Sequence, residues 1–272
     1  MSDRFAAEGQ RYPRSVRLRA SWVALKTIAF KETNRYLRIW IQTLVPPAIT
    51  MTLYFVIFGA LIGERIGPMG GYSYMEYIAP GIIMLAIITN SYNNVVSSFF
   101  GAKFQRHIEE LLVSPMPNLV ILTGYVVGGV GRGLCVGAIV TVIALMFTSL
   151  PIHNWAITLS VVVLTATLFS IGGVINAIYA QKFDDIAIIP TFVLTPLTYL
   201  GGVFYSISLL PEFWQAVSLA NPILYMVNAF RFGILGSADV NIVFSYVMMI
   251  AFIIGLGGFA LYLLRRGTGL RS

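Results

Sequence analysis

Five long stretches of the chain consist mainly of apolar residues and contain no Asp, Glu, Lys or Arg. They cover residues 39–63, 77–102, 133–181, 186–211 and 240–264. A helix needs about 20 mainly apolar residues to cross the roughly 30 Å hydrocarbon layer of a membrane, so each stretch is long enough to span it. The third stretch extends upstream to about Asn118, and residues 151–154 (Pro-Ile-His-Asn) divide it into two helices. The pattern therefore predicts six spanning helices.

The predicted spans run over about residues 40–63, 77–98, 119–148, 155–179, 186–205 and 241–264. In lipid every backbone amide must bond within its own helix or within a closed barrel. Barrel strands alternate apolar and polar residues, and these stretches do not. The sequence thus predicts an all-α integral membrane protein.

Composition agrees with this prediction and excludes a soluble globular domain. Of the 272 residues, 57% are hydrophobic and 11% are charged, against about 25% charged in an average soluble domain. Cys135 is the single cysteine, so neither an intramolecular disulfide nor a cysteine-based metal cluster can form within one chain.

The basic residues predict the orientation of the chain. With both termini on one side, that side carries nine Lys and Arg before residue 40 and six more beyond it, while the other side carries Arg65 and Arg231. The positive-inside rule then places both termini in the cytoplasm. Topology and anionic lipid account for the net charge of +7, and we expect no nucleic-acid partner.

The chain divides into four predicted regions. Residues 1–16 form a mobile cytoplasmic tail, 17–39 an amphipathic helix, 40–266 the six-helix transmembrane domain, and 267–272 a second cytoplasmic tail. The apolar side of the amphipathic helix is formed by Leu18, Trp22, Leu25 and Ala29, and its basic side by Lys31, Arg35 and Arg38. This pattern is typical of a helix in the membrane interface; the alternative is a helix packed on a cytoplasmic protein surface.

The third predicted span contains closely spaced glycines and one arginine. The pairs Gly124/Gly128, Gly129/Gly133 and Gly133/Gly137 are each four residues apart, a spacing that lets a neighbouring backbone approach closely. Arg132 lies near the middle of the span, where an unpaired cation costs about 2.5 to 3.5 kcal/mol. It either attracts an anionic substrate or bonds structurally to helix-end carbonyls and neighbouring polar groups.

A short segment between the second and third spans predicts a cytoplasmic amphipathic helix over about residues 100–114. Its apolar side repeats at helical spacing and comprises Phe100, Phe104, Ile108 and Leu111. Pro115 must end this helix. An anionic leaflet would repel Glu109 and Glu110, so a protein partner suits that end better than lipid headgroups.

The segment 210–236, between the fifth and sixth spans, predicts a re-entrant helical hairpin. Asn221-Pro222 splits it into two pieces of about a dozen residues, each reaching only about 18 Å. Neither piece spans the membrane, and such a hairpin is stable at membrane depth only when protein or a cavity surrounds it. Arg231 within it either caps the hairpin or binds an anionic group.

These features together resemble the permease subunit of type-2 ATP-binding-cassette exporters. The resemblance covers about residues 17–266 and rests on three runs: Glu-Glu-Leu-Leu-Val-Ser-Pro-Met at 109–116, Gly-Gly-Val-Phe-Tyr-Ser at 201–206, and Asn221-Pro222 through Tyr225 and Arg231. The most similar subgroup comprises bacterial permeases related to nodulation-factor, daunorubicin and polysaccharide exporters.

The resemblance implies an inner-membrane exporter built from two permease copies and two ATPase copies. The cytoplasmic helix becomes a coupling helix, whose contacts with the ATPase are Glu109, Glu110, Leu111, Leu112, Ser114 and Pro115. Residues 21–38 would brace the same ATPase. The substrate path would lie between the permeases, lined by spans one, two and five, whose candidate residues are Asn90, Asn93, Asn94, Thr195 and Tyr199. Arg132 of the third span is a further candidate for the path. The substrate would be an amphipathic or lipid-linked molecule such as a glycolipid, a polysaccharide or a drug-like compound, moved outward.

The chain has no means of powering this transport by itself. It contains no G-x-x-x-x-G-K-[ST] loop, because no Lys follows a Gly anywhere in the sequence. ATP and Mg²⁺ are therefore expected in a separate ATPase subunit, and we expect neither a cofactor, a metal site nor catalytic residues in this chain.

Three other functions are alternatives for a multi-pass membrane protein of this kind. A membrane enzyme would have to use His107 with Glu109 and Glu110, which do not share one helix face, or Asp184-Asp185, which suits a helix start. An ATP-independent carrier or channel usually has an intramembrane Asp or Glu, and the predicted spans lack both. A non-transporting membrane scaffold for an ATPase is the third alternative.

Overall fold

The computed structural model describes residues 14–114 and 116–269, and within these ranges the chain is helical apart from short connections. An isolated pair, Met69 with Tyr72, is the sole strand-like pairing in the described ranges. The main helices are α1 Arg14–Arg38, α2 Trp40–Gly59, α3 Tyr74–Phe104, α4 His107–Val113, α5 Asn118–Phe147, α6 Trp155–Tyr179, α7 Asp185–Leu200, α8 Glu212–Leu219, α9 Pro222–Leu235 and α10 Ile242–Arg266. Wider helical turns over Phe55–Ile62 and a short helix Gly63–Ile66 continue α2, and one further short turn covers Ile207–Leu209. The all-α fold predicted from the sequence is thus confirmed. Most of the two predicted tails, namely residues 1–13 and 270–272, lies outside the described residues.

Five of these helices are long and apolar enough to cross a membrane: α2, α3, α5, α6 and α10. The fifth predicted span appears as α7, which ends at Leu200 and measures about 24 Å at about 1.5 Å per residue. Residues 201–206, which the prediction placed in the same helix, form irregular backbone, with Gly202 at φ +69°. Five of the six predicted spans therefore correspond to helices long enough to cross a membrane. The remaining span, the fifth along the chain, stays a prediction.

Local sequence signals set the helix starts. Ser73 caps α3 in a capping box with Glu76, and Asn154, Asn221 and Asn241 cap α6, α9 and α10 with their side-chain oxygens. Pro46 and Pro47 lie in the first turn of the α2 segment Val45–Tyr54, where a missing amide donor costs no intrahelical bond.

Contacts place the carboxyl ends of α3, α6 and α10 at one face of the molecule. The Lys103 ammonium donates to the carbonyl oxygens of Ile178 and Ala180 at 2.6 Å each. A Cβ on Gly269 would lie 2.7 Å from the Ile178 oxygen. We call this face, which carries Lys103, Lys182, Arg265 and Arg266, the basic face.

The segment after α6 runs from the basic face to the opposite face. At the opposite face His153 N–H donates to Ile234 O at 3.0 Å, and Tyr74 Oη, in the first turn of α3, donates to Phe204 O at 3.1 Å. Because residue 180 lies at the basic face and Phe204 at the opposite face, α7 and the residues that follow it traverse the bundle.

Helix α3 forms the centre of the bundle. In its most apolar window 78% of the residues are buried, against 17% for α2 and 22% for α10. Small residues let the neighbours approach it: a Cβ on Gly133 would meet Ser91 of α3 at 2.0 Å, and one on Gly129 would meet both Val95 of α3 and Ser170 of α6. The predicted role of the α5 glycines in close helix packing thus has a direct structural counterpart.

Helix α1 packs along α5 on a second row of glycines. Ile28 lies against Gly124, and the Glu32 side chain lies against Gly128. Leu18 and Trp22, on the predicted apolar side, are exposed. One side of α1 therefore packs on the bundle, while another side is exposed. Whether the membrane interface or a protein surface covers the exposed side stays a prediction.

Candidate functional site

The predicted cytoplasmic helix over residues 100–114 consists of two pieces. Phe100 and Phe104 belong to the last turn of α3, and a separate helix, α4, begins at His107. Between them Arg106 adopts a left-handed conformation with φ 61°, unusual for a residue other than glycine. This corrects the single continuous helix of the prediction, because the left-handed residue turns the chain sharply away from the α3 axis.

Anchoring and exposed side chains divide the short helix α4. Ile108 is fully buried, and Leu111 and Leu112 are half-buried against the core. Glu110 is exposed and Glu109 is half-buried.

The hydroxyl of Ser114, which follows α4, donates to Leu111 O at 2.6 Å. Pro115, the last predicted coupling residue, lies outside the described residues. The structure therefore places the two leucines toward the bundle and Glu110 on the accessible side of the predicted coupling element.

The polar residues predicted to line a path on α3 point in two directions. Asn90, Asn94 and Ser98 recur every four residues and are buried, whereas Asn93 and Ser97 are exposed. Side chains four residues apart share a helix face, and adjacent residues do not. The three predicted asparagines are therefore not brought together, and Asn93 alone of them lies on the free side of α3.

The two predicted path residues on α7 are exposed. Thr195 donates its hydroxyl to Pro190 O at 2.9 Å, next to a wider helical turn over Pro190–Leu194. The Tyr199 ring stacks on Phe204 with centroids 5.9 Å apart. The Phe58 ring of α2 stacks on the same Phe204 at 4.6 Å, so these aromatic side chains join α7 to α2.

Arg132 bonds to polar groups of two other helices. Its Nη2 donates to Thr43 O at 3.1 Å and to Asn90 Oδ1 at 3.2 Å. Thr43 ends the first short piece of α2, so the guanidinium joins α5 to α2 and α3. These contacts are of the kind that the structural alternative requires, and the role of Arg132 in a path stays a prediction.

The predicted hairpin segment forms helices α8 and α9, and Asn221-Pro222 separates them. Helix α9 is almost entirely buried, and Arg231 in it has 0% exposure. Arg231 Nη2 donates to Gly202 O at 2.6 Å and its Nε to Tyr77 O at 3.3 Å, with the guanidinium 4.0 Å above the Tyr77 ring. The arginine thus ties α9 to α3 and to the irregular segment after α7.

Asp239 completes this arrangement and was not found by sequence reasoning. Its carboxylate accepts hydrogen bonds from Tyr77 Oη and Ser206 Oγ at 3.0 Å each and lies 3.9 Å from Arg231 Nη1. Asp239 also lines a cavity of about 410 Å³ together with Met69 and Ser208. A carboxylate just before the last span was the available signal, but nothing in the sequence pairs it with Tyr77 more than 160 residues away.

The described residues contain no group of three or more His, Cys, Asp or Glu side chains that could share a metal ion. What the molecule offers instead is a bundle with exposed polar and aromatic side chains on α3 and α7, a short helix at the basic face, and a buried arginine at the opposite face.

Comparison with known proteins adds independent information. A family model described as ABC-2 type transporter matches residues 23–235. The chain is 59% identical over 251 residues to the inner membrane transport permease YadH of Escherichia coli (strain K12), covering 92% of this chain and 98% of that relative. Nodulation protein J of Rhizobium leguminosarum bv. viciae is 23% identical over 194 residues, covering 70% of this chain and 74% of its own length. The matched stretch begins within α1 and ends with α9, so it contains both the short helix α4 and the buried arginine.

Proposed function

This chain belongs to the ABC-2 type transporter family, and from that membership we propose that it is the permease subunit of an exporter driven by a separate ATPase. It is a multi-pass transport permease of the inner membrane. We further propose its number of membrane crossings, its assembly, its coupling element, its substrate and its direction of transport.

In the proposed topology the chain crosses the membrane six times, and both termini are cytoplasmic. Helix α7 with residues 201–204 adds one crossing to those of the five long helices, since residue 180 and Phe204 lie at opposite faces of the bundle. Gly201 and Gly202 form irregular backbone at membrane depth, which is tolerated where protein covers it. Both are buried, and Arg231 bonds to the Gly202 carbonyl oxygen.

The observation that carries the proposal is the exposed polar side of the bundle. Asn93, Ser97 and Thr195 lie on apolar helices of the single chain and are exposed. Polar groups exposed at membrane depth require protein or water next to them. A second copy of the chain facing α3 and α7 would enclose these groups in a path between two permeases.

The proposed substrate is an amphipathic or lipid-linked molecule, of the glycolipid, polysaccharide or drug-like kind, and it moves outward. The exposed side of α3 offers the amide of Asn93 and the hydroxyl of Ser97, while that of α7 offers the rings of Phe192 and Tyr199. A surface with both kinds of group suits a molecule with a polar and an apolar part. Export as the direction follows the family resemblance.

Helix α4 is the proposed contact with the ATPase, of which two copies would bind the two permeases. It lies at the basic face, where it follows the end of α3, and it presents Glu110 to the outside. ATP and Mg²⁺ would bind to the ATPase, because the chain lacks a phosphate-binding G-x-x-x-x-G-K-[ST] loop. No catalytic residue is proposed in this chain.

Charge reversal at Glu110 tests this function without knowledge of the substrate. We expect Glu110→Lys to lower the ATP hydrolysis of the reconstituted complex by about tenfold or more, since a mismatched charge at an interface costs at least ~1.4 kcal/mol. The measurement is the ATPase rate of the complex in nanodiscs. Glu212→Lys, the same charge change at exposed Glu212 in the first turn of α8, is the control. Equal rates in both variants and the original protein would contradict the coupling assignment.

A further inference from the structure

Helix α1 carries a carboxylate into the interior of the bundle. The Glu32 side chain is 1% exposed, and its Oε1 accepts a hydrogen bond from Ser98 Oγ of α3 at 2.6 Å. Its Oε2 accepts from Arg35 Nε at 3.4 Å. A buried carboxylate is unfavourable unless it is paired and hydrogen-bonded, so this position on α1 depends on its partners.

Arg35 extends the same contact to the preceding turn of α3. Its Nη2 donates to the backbone oxygen of Asn94 at 2.9 Å and to the Asn94 side-chain oxygen at 2.7 Å. Hydrogen bonds with a charged partner are shorter and stronger than neutral ones. Glu32 and Arg35 of α1 with Asn94 and Ser98 of α3 are called the α1–α3 clamp below.

The glycine row of α5 permits the clamp to form. A Cβ on Gly128 would lie 2.4 Å from Glu32 Cβ, which no ordinary side chain could tolerate without displacement. Lacking that atom, Gly128 lets α1 sit close enough for the Glu32 carboxylate to reach α3. Three helices therefore meet at the clamp, and two of them are linked there by charge-assisted bonds.

The clamp lies between the proposed substrate path and the proposed contact with the ATPase. Asn93 and Ser97, which we place in the path, each precede a clamp residue of α3 and point to the exposed side. In the other direction α3 continues to Phe104, and the left-handed Arg106 leads into α4. A displacement of α1 relative to the bundle would thus act on α3 close to both α4 and the path.

We propose that Glu32 and Arg35 are positioning residues that make α1 and the carboxyl-terminal part of α3 move as one body. Movement imposed on α1 or α4 by the ATPase then reorients the exposed side of α3 that carries Asn93 and Ser97. This inference rests on the proposed function, because it assigns the clamp to the transmission of an ATPase-driven movement. The clamp itself does not touch the substrate.

The first measurement examines the clamp without any ATPase. In a Cys135→Ser background, spin labels on cysteines at exposed positions 26 and 105 report the distance between α1 and the end of α3 in nanodiscs. We expect one narrow distance distribution in the original sequence, a broad one in Glu32→Gln and in Ser98→Ala, and an unchanged one in Lys31→Gln. Lys31 is exposed and adjacent to Glu32, so it is the matched control. An equally narrow distribution in Glu32→Gln would overturn the clamp.

The second measurement examines transmission and also needs no substrate. A cysteine replacing Asn93 in the same background is treated with N-ethylmaleimide, with and without ATP and vanadate, in complex with the ATPase. We expect nucleotide to change the reaction rate by about fivefold or more, within the range of coupling between two sites, and Glu32→Gln to abolish this change while ATP hydrolysis continues. Combining Glu32→Gln with Ser98→Ala should add nothing further, because the two residues form one interaction.

The outcomes separate the two proposals. A nucleotide-dependent rate that persists unchanged in Glu32→Gln overturns the positioning role and leaves the proposed function standing. A rate that does not respond to nucleotide even with Glu32 present counts against the proposed path and ATPase drive, and the transmitting role fails with them. In that case the spin-label distances still test whether the clamp holds α1 against α3, because that measurement needs no ATPase.

Discussion

Single arginines mark the places where this apolar bundle depends on polar contacts. The sequence identified Arg132 and Arg231 because a cation within or beside an apolar stretch must be compensated. The partners of these arginines are distant in the chain: Thr43 and Asn90 for the first, Gly202 and Asp239 for the second. Pattern reasoning could therefore predict that compensation exists, but not which groups supply it.

At the residue scale, Arg231→Gln is expected to lower the free energy of unfolding by about 3 kcal/mol. The substitution removes the donor to Gly202 O and leaves the Asp239 carboxylate without its cation, and breaking a buried pair by removing one partner is strongly destabilising. Thermal unfolding in mild detergent is the measurement, and Arg65→Gln at an exposed arginine is the control.

An unchanged unfolding midpoint in Arg231→Gln would contradict the capping role. The unfolding midpoint of Arg231→Lys should fall between those of Arg231→Gln and of the original protein. Lysine keeps the charge but cannot donate at the same time from two fixed nitrogens to Gly202 and Tyr77.

At the element scale, spacing along the helices was informative but local conformation was not. The glycine spacing of α5 predicted close helix approach, and α5 is approached closely by both α1 and α3. The left-handed Arg106 has no signal in its residue type, so the periodicity of residues 100–114 predicted one helix where two occur. Residues 201–205 are apolar or glycine throughout, so hydropathy did not reveal that α7 ends at Leu200; the pair Gly201-Gly202 was the available signal for a helix end.

The packing of α1 against Gly128 of α5 leads to a prediction for helix α1. Gly128→Leu should detach α1, because even the first added atom would lie 2.4 Å from Glu32 Cβ. We expect trypsin to cleave the exposed Lys26 and Lys31 of α1 about tenfold faster for each 1.4 kcal/mol lost from docking.

Gly255→Leu is the matched control for this experiment, since a Cβ there would meet nothing within 4 Å. Both variants place a leucine in an apolar helix, so any difference between them reports the local environment. Equal cleavage in the two variants would show that the docking of α1 does not depend on its contact with Gly128.

At the scale of the whole molecule, the apolar runs and their basic flanks were sufficient to predict a multi-pass membrane protein. The family match over residues 23–235 agrees with the resemblance drawn from the three short runs. The arrangement of the polar side chains was not predictable in the same way. Asn93 is three residues from Asn90 and adjacent to Asn94, so helix periodicity does not show which of the three asparagines is buried; only packing does.

Under the proposed function, the exposed side of α3 and α7 leaves the single chain incomplete as a transport path. A second copy would enclose the exposed polar groups, and an ATPase would supply the nucleotide site that the sequence lacks. We therefore expect the working assembly to contain two permeases and two ATPases, and the subunit composition of the purified complex tests this expectation.

The deciding measurement is affinity purification of the tagged chain in mild detergent from its native host, followed by identification and stoichiometry of the copurifying proteins by mass spectrometry and native mass. We expect an ATP-binding-cassette ATPase at equal stoichiometry, in a complex with two copies of each chain. Recovery of the chain without an ATPase, from a sample in which other transporter complexes remain intact, would contradict this assembly and favour an ATP-independent carrier or channel.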